Sequence, residues 1–198
     1  MIKNNYNHLE VISAITMFMP SIISLRFLLM NKIMNKNIII GSLGCIFHFP
    51  FSAMLHLYRA YGKNTKYRIY LFKLDVSFIH IHSYMQNYAW NLQINKINLI
   101  YHILSIYYIW NTNPIEYPKS KYYIDLFTVF GILLSSYELF YIDKKLYFIA
   151  IIIWCIGFIV YNKKQFNNIP SSILFHMLLT GPQYCLLEGL SIKHIYNI

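Results

Sequence analysis

Long apolar stretches alternate with short polar segments along the whole chain. A helix needs about 20 mostly apolar residues to cross a hydrocarbon core roughly 30 Å thick. The pattern predicts seven spans of that kind, at residues 10–30, 38–60, 68–90, 96–111, 123–142, 146–162 and 169–190. The six connections are short, so consecutive helices should be antiparallel neighbours. We therefore predict an all-α, polytopic membrane protein, with residues 1–198 forming a single transmembrane domain.

Composition supports the membrane class. Charged residues make up 12% of the chain and hydrophobic residues 57%, whereas a soluble domain carries roughly 25% charged residues. The net charge of +10 does not indicate nucleic-acid binding, because the Lys and Arg residues stand singly or in pairs at span ends. The expected partners are membrane lipids, while the oligomeric state and the particular membrane stay open. With Lys73 left out, nine basic residues lie on the N-terminal side and seven on the other, which weakly favours a cytoplasmic N-terminus.

The third span is unusually polar for a membrane helix. Its polar residues are Lys73, Asp75, His80, His82, Ser83, Gln86 and Asn87. Such a helix is stable in a membrane only when its polar side packs against other helices or lines a wet cavity. We therefore expect the third span to be central, with the second and seventh spans beside it.

Four polar residues of these three helices are predicted to lie at one depth. Ser52 and His56 are one helical turn apart near the end of the second span. Asp75 and His176 each follow the start of their own span by about seven residues, at a rise of about 1.5 Å per residue. Antiparallel packing brings all four within a few ångströms of one level, which predicts a shared site.

The chemistry of this set suits zinc. Two imidazoles with nearby oxygen donors are typical of a tetrahedral zinc site with one position left for water. Zinc lowers the pKa of that water to about 7. We predict His56 and His176 as metal ligands, with Ser52 and Asp75 as catalytic residues. Asp75 would orient the water or accept its proton, and Ser52 would hold it or stabilise a developing oxyanion.

These motifs resemble those of the CREST superfamily of seven-helix membrane hydrolases. That group includes alkaline ceramidases, progestin-and-adipoQ receptors and haemolysin-III-like proteins. The resemblance rests on Ser52-x3-His56, on KLDVSFIHI around Asp75 and on SSILFHMLL around His176. It implies a zinc site between the second, third and seventh spans that acts on lipid amide or ester bonds. His56 and His176 would be zinc ligands, and Ser52 and Asp75 would hold the water.

The last motif departs from the family pattern. The family has His-x3-His, whereas this chain has Ser172-x3-His176, so one of three imidazole ligands is missing. Either Asp75 coordinates the metal directly, another His substitutes, or the metal site is lost. His48 and His82 lie two turns away, roughly 10 Å. They are poor substitutes unless Pro50 makes its helix irregular.

Three functions are compatible with this pattern. The first is a zinc-dependent lipid hydrolase. The second is a non-catalytic relative that binds lipid or acts like a receptor, which the presence of Ser172 favours. The third is a small transporter or channel, suggested by the polar third span and Glu138 but lacking the inverted repeats of many transporters. Single membrane histidines are more often hydrogen-bonded packing residues than ligands, which is our interpretation of His80 and His82.

Overall fold

The described part of the chain is almost entirely helical. A computed structural model describes the backbone of residues 2–30, 35–114, 116–163, 165–166 and 169–196. The connections predicted at 31–37, 111–120 and 162–168 therefore lie partly outside the described residues. The elements are α1 (Ile2–Thr16), α2 (Phe18–Met30), α3 (Lys36–Tyr61), α4 (Thr65–Asn91), α5 (Lys96–Asn111), α6 (Pro118–Ser136), α7 (Glu138–Ile142), α8 (Lys144–Asn162), β1 (Gln165–Phe166), β2 (Ile169–Pro170) and α9 (Ser171–Tyr196).

The first and fifth predicted spans are each divided into two helices. The first is interrupted at Met17, between α1 and α2. Pro20 has no N–H to donate to the carbonyl of Thr16, so the helical ladder is broken there. The fifth is interrupted at Tyr137, directly after Ser135 and Ser136, whose hydroxyls donate to carbonyls four residues earlier. Such back-bonding often bends a helix.

The seventh predicted span begins two residues later than expected. Residues 169–170 form β2, which pairs with β1 in an antiparallel register, so α9 begins at Ser171. This strand pair is the one departure from the all-α prediction in the described residues. Its two-residue strands do not change the helical class of the fold.

Four helices in the described residues are long and apolar enough to cross a membrane: Asn7–Met30, Lys36–Tyr61, Lys119–Ile142 and Lys144–Asn162. They agree with four of the seven predicted spans and are consistent with an integral membrane protein. The spans predicted at 68–90, 96–111 and 169–190 fall on α4, α5 and α9. These three helices are not both long and apolar enough to be among the four. α5 has 16 residues, about 24 Å of helix, and α4 carries the polar side chains described above.

Asparagine and aspartate side chains begin several helices. Asn35, Asn64 and Asn95 precede α3, α4 and α5, and each side-chain oxygen accepts a backbone N–H of the first turn. Asp143 does the same for α8, where it accepts from the N–H of Leu146 at 3.0 Å. These side chains satisfy N–H groups that have no partner within the helix. The predicted connections therefore contain the start signals of the helices that follow.

The bundle interior is built around α4 and α9. α4 packs against α3, α5 and α6, and more lightly against α9, while α9 packs mainly against α8 and α2. α3 and α4 approach closely at Gly44, where an added Cβ would lie 3.3 Å from the Cα of His82. Small residues at such crossings let two backbones come together. The arrangement places the polar third span among other helices, as its sequence predicted.

Candidate functional site

A cavity of about 190 Å³ lies between α2, α3, α4, α6, α8 and α9. Much of its wall is apolar, including Phe72, Trp154 and Phe158. All four residues predicted for the site also line it: Ser52, His56, Asp75 and His176. Ser172, at which the sequence departs from the CREST motif, lies in the same wall. The helix packing therefore brings the predicted set together around one space.

His56 is held by a carboxylate that the sequence analysis did not identify. Its Nδ1 lies 2.7 Å from Oε2 of Glu10, a buried residue of α1. A carboxylate only accepts hydrogen bonds, so the Nδ1–H of His56 donates to it. In the neutral ring, Nε2 then carries a lone pair. The remaining nitrogen of His56 is thereby prepared to bind a proton donor or a metal.

His176 is held in the same way by residues one to two turns further along α1. Its Nδ1 lies 3.1 Å from the carbonyl oxygen of Ser13 and 3.3 Å from Oγ1 of Thr16. Because the carbonyl only accepts, Nδ1–H donates to it and Nε2 keeps its lone pair. Among the described residues, the Nε2 atoms of His56 and His176 have no hydrogen-bond partner.

The two imidazoles lie at a separation that suits a shared metal. Their ring centres are 5.0 Å apart and the ring planes meet at 78°. Two imidazoles that bind one tetrahedral zinc through Nε2 at about 2.0–2.1 Å have ring centres roughly 5 Å apart. Metal-binding histidines usually donate their other N–H to a carboxylate or a backbone carbonyl. Glu10 and Ser13 provide these two acceptors.

A third imidazole ligand is not in place. Ser172 Oγ is 2.8 Å from Ser13 Oγ, and the two hydroxyls share a hydrogen bond. In the described residues, no group of three or more His, Cys, Asp or Glu side chains is arranged to hold a metal ion. Within the described residues, the two imidazoles therefore fall short of a zinc site, which has three or four protein ligands.

Asp75 pairs with His48 across α3 and α4. Its Oδ1 lies 2.9 Å from Nε2 of His48, and the Ser52 hydroxyl contacts the same carboxylate. A buried carboxylate is stable only when it is paired and hydrogen-bonded. The sequence analysis considered His48 only as a substitute metal ligand and did not predict this pair, which forms because α4 brings Asp75 level with His48 as well as with Ser52.

A second pair of histidines lies outside the cavity. Nδ1 of His80 on α4 is 2.9 Å from Nδ1 of His102 on α5, and both rings are buried. One Nδ1 donates to the other, and neither Nε2 has a partner among the described residues. His80 therefore packs against α5, in keeping with its interpretation as a polar stabiliser. His82, by contrast, lines the cavity with no partner for its Nε2 in the described residues.

The depth of each residue along its predicted span could have identified Glu10, which the sequence analysis missed. Glu10 starts the first predicted span on the N-terminal side of the bundle, and the second predicted span ends on the same side, four residues after His56. Comparing the depths of residues along the first span in the same way would have identified Glu10 as a partner for His56. The Ser13 carbonyl carries no sequence signal, because any residue has one.

Glu138, which motivated the transporter hypothesis, lies outside the cavity lining. Its Oε1 accepts a hydrogen bond from Asn91 Nδ2 at 3.3 Å.

Comparison of the chain with models of protein families, with curated proteins and with solved structures gave no match.

Proposed function

We propose that the chain is a seven-span membrane protein in which α1–α2, α3, α4, α5, α6–α7, α8 and α9 each cross the bilayer. Exposed apolar side chains support this for helices beyond the four that are both long and apolar enough to cross a membrane. On α5, the exposed residues include Ile97, Ile100, Ile103 and Leu104. A contiguous apolar surface of this kind is unfavourable in water and is matched by lipid. The cytoplasmic position of the N-terminus stays a prediction.

We propose further that the cavity is the site of a zinc-dependent hydrolase acting on amide or ester bonds of lipids. One observation carries the proposal: both cavity histidines are anchored through Nδ1, and the separation of their ring centres, 5.0 Å, suits two ligands of one zinc. His80 and His102 lack this arrangement, because their two Nδ1 atoms bind each other. The resemblance of the Ser52, His56, Asp75 and His176 motifs to CREST hydrolases supports the same function.

His56 and His176 would hold the metal. Zinc in such a site makes water a better nucleophile at neutral pH and polarises a carbonyl group. Asp75 takes a proton from the attacking water as its oxygen forms a bond with the carbonyl carbon. The C–N or C–O bond then breaks, and Asp75 returns the proton to the departing amine or alcohol. A free fatty acid and the rest of the lipid are the products.

Two further side chains position Asp75. His48 donates to one carboxylate oxygen and Ser52 contacts the same group, so the carboxylate has a defined orientation. The apolar wall that includes Phe72 and Phe158 suits an acyl chain.

The test is lipid hydrolysis by the purified protein, with zinc removed and then restored. Fatty-acid release from mixed micelles containing ceramides and phospholipids should disappear after chelation and return with about one equivalent of zinc. Magnesium should not restore it. Release that persists at full rate after chelation, or none with zinc bound, would contradict the proposal.

A second candidate is a non-catalytic lipid-binding protein, favoured by the hydrogen bond between Ser172 and Ser13. Here a hydroxyl pair stabilises the α1–α9 contact at the position where the CREST motif has a histidine. Under this alternative, the parent protein binds no zinc and Ser172→His creates a zinc affinity that it lacks. Tight zinc binding by the parent chain would exclude it.

A further inference from the structure

Arg59 is a cation in the wall of the cavity. It lies on α3, three residues after His56, so the two side chains leave the helix about one turn apart. The residue is half-buried. Among the described residues, its guanidinium has no hydrogen-bond or carboxylate partner. The guanidinium N–H groups of this half-buried arginine are therefore available to bind a ligand beside the predicted reaction centre.

The groups around Arg59 do not neutralise it. Lys121 Nζ pairs with Asp125 Oδ2 at 2.7 Å and lies 5.5 Å from the centre of the Tyr161 ring. Arg59, Lys121 and Asp125 are all close enough to interact electrostatically with the Tyr161 hydroxyl. This end of the cavity therefore holds two cations, Arg59 and Lys121, and Asp125 pairs with Lys121. Asp75, the other carboxylate of the lining, already pairs with His48.

The level of Arg59 in the bundle suits a lipid head group. Arg59 is two residues from the end of α3, at the height where a membrane helix meets the head-group region. His56 lies about 5 Å deeper, at a rise of about 1.5 Å per residue. In a phospholipid, the ester or amide bonds lie a few covalent bonds below the phosphate. A phosphate at Arg59 would therefore place such a bond near His56 and His176.

The alternative for any arginine at this height is to extend into the surrounding head groups. Arg68, at the start of α4 on the same side of the bundle, is exposed and fits that description. Arg59 differs because its side chain lines the cavity and is half-buried. A guanidinium in this setting binds phosphate through paired N–H donors, with a geometry that lysine does not reproduce.

We propose that the cavity takes a lipid with a phosphate-bearing head group, and that Arg59 binds the phosphate. This defines the substrate class of the proposed hydrolase as an anionic phospholipid in preference to a neutral ceramide or diacylglycerol. The identity of the bond that is cleaved rests on the proposed function, whereas the phosphate contact needs neither zinc nor hydrolysis.

Binding of a fluorescent phosphatidic acid and of the diacylglycerol with the same acyl chains tests the proposal. Both are measured in detergent micelles, for the parent chain, Arg59→Gln and the matched control Arg68→Gln. We expect Arg59→Gln to weaken binding of phosphatidic acid by roughly tenfold or more, since the lost bond is charge-assisted, and to leave diacylglycerol binding unchanged. Arg68→Gln should change neither. Equal binding of the two lipids by the parent, or equal losses in the two variants, would overturn the proposal.

Further measurements distinguish a lipid phosphate from the free ion, and distinguish failure of the head-group proposal from failure of the hydrolase proposal. Arg59→Lys keeps the charge and should lose less affinity than Arg59→Gln, which guards against a folding defect in the latter. Inorganic phosphate at millimolar concentration should not displace phosphatidic acid, and full displacement would indicate a site for the free ion. Arg59-dependent binding without zinc-dependent hydrolysis would support the head-group site and reject the hydrolase. Zinc-dependent cleavage of ceramide that is unchanged in Arg59→Gln would support the hydrolase and reject the head-group site.

Discussion

Two pairs of buried histidines show how hydrogen bonding decides what an imidazole can do. The cavity pair, His56 and His176, has ring centres 5.0 Å apart, and the core pair, His80 and His102, has them 5.2 Å apart. The spacing is nearly the same, and all four rings are buried. In the cavity pair, each Nδ1 donates to an acceptor on α1, whereas in the core pair the two Nδ1 atoms bind each other.

The difference determines which nitrogen is available and where it lies. Nδ1 anchoring leaves Nε2 of each ring in the cavity pair with a lone pair, and both residues line the same cavity as Asp75. In the core pair, the two Nδ1 atoms form a hydrogen bond with each other. The Nε2 atoms of that pair are buried without partners among the described residues. Proximity of two histidines is therefore a poor guide to a metal site. The acceptors that hold the rings are a better one.

The largest expected effect concerns Asp75, the carboxylate beside the cavity pair. Asp75→Asn removes the proton acceptor but preserves the shape of the side chain. Turnover of the lipid substrate should fall by about 100- to 10,000-fold, while bound zinc is retained. Fatty-acid release and zinc content, measured on the same preparation, check this.

Asp143→Asn provides the control for that change. Asp143 caps α8 away from the cavity, and asparagine caps a helix equally well, so activity should not change. Equal activity in the parent and Asp75→Asn would remove Asp75 from the proposed mechanism.

A smaller effect is expected at Glu10, which distinguishes the cavity pair from the core pair. Glu10→Ala removes the acceptor that orients His56, and zinc affinity should fall by roughly 10- to 100-fold. Glu10→Gln retains an acceptor oxygen and should lose less. Competition with a fluorescent zinc chelator measures both affinities.

Glu138→Gln is the matched change outside the cavity, because Glu138 bonds to Asn91 at the end of α4. It should leave zinc affinity at the parent value. If Glu138→Gln and Glu10→Ala lower the affinity equally, the anchoring of His56 has no special role.

The smallest expected effect concerns the core pair and is purely structural. His102→Leu leaves His80 Nδ1 buried without its partner, which should destabilise the fold by about 1–3 kcal/mol and not affect zinc binding. His102→Asn keeps a polar atom near the position of Nδ1 and should recover part of the loss. Denaturation midpoints in detergent report the stability. A fall in zinc content in His102→Leu would contradict the distinction between the pairs.

The sequence predicted the helical class and the grouping of the cavity residues for identifiable reasons. Long apolar stretches set the helices, and antiparallel packing made depth a usable coordinate for Ser52, His56 and Asp75. The break at Met17 was also accessible, since Pro20 cannot donate to Thr16.

Other features depend on how the helices rotate and pack, which apolar periodicity does not specify. The pairing of Asp75 with His48 requires a particular rotation of α4 against α3, which Gly44 permits by allowing close approach. The anchoring of His176 involves the backbone carbonyl of Ser13. Every residue type has such a carbonyl, so the sequence does not indicate this contact. Nor does the sequence separate His102 from the cavity histidines, because all of them lie in apolar helices.

Zinc content per chain is the most direct test of the central claim that the cavity pair, and not the core pair, binds a metal. Elemental analysis would be carried out on the purified parent, His176→Ala and His102→Ala. The account predicts about one zinc per chain in the parent and in His102→Ala, and none in His176→Ala. Zinc absent from the parent, or present at the parent level in His176→Ala, would contradict it.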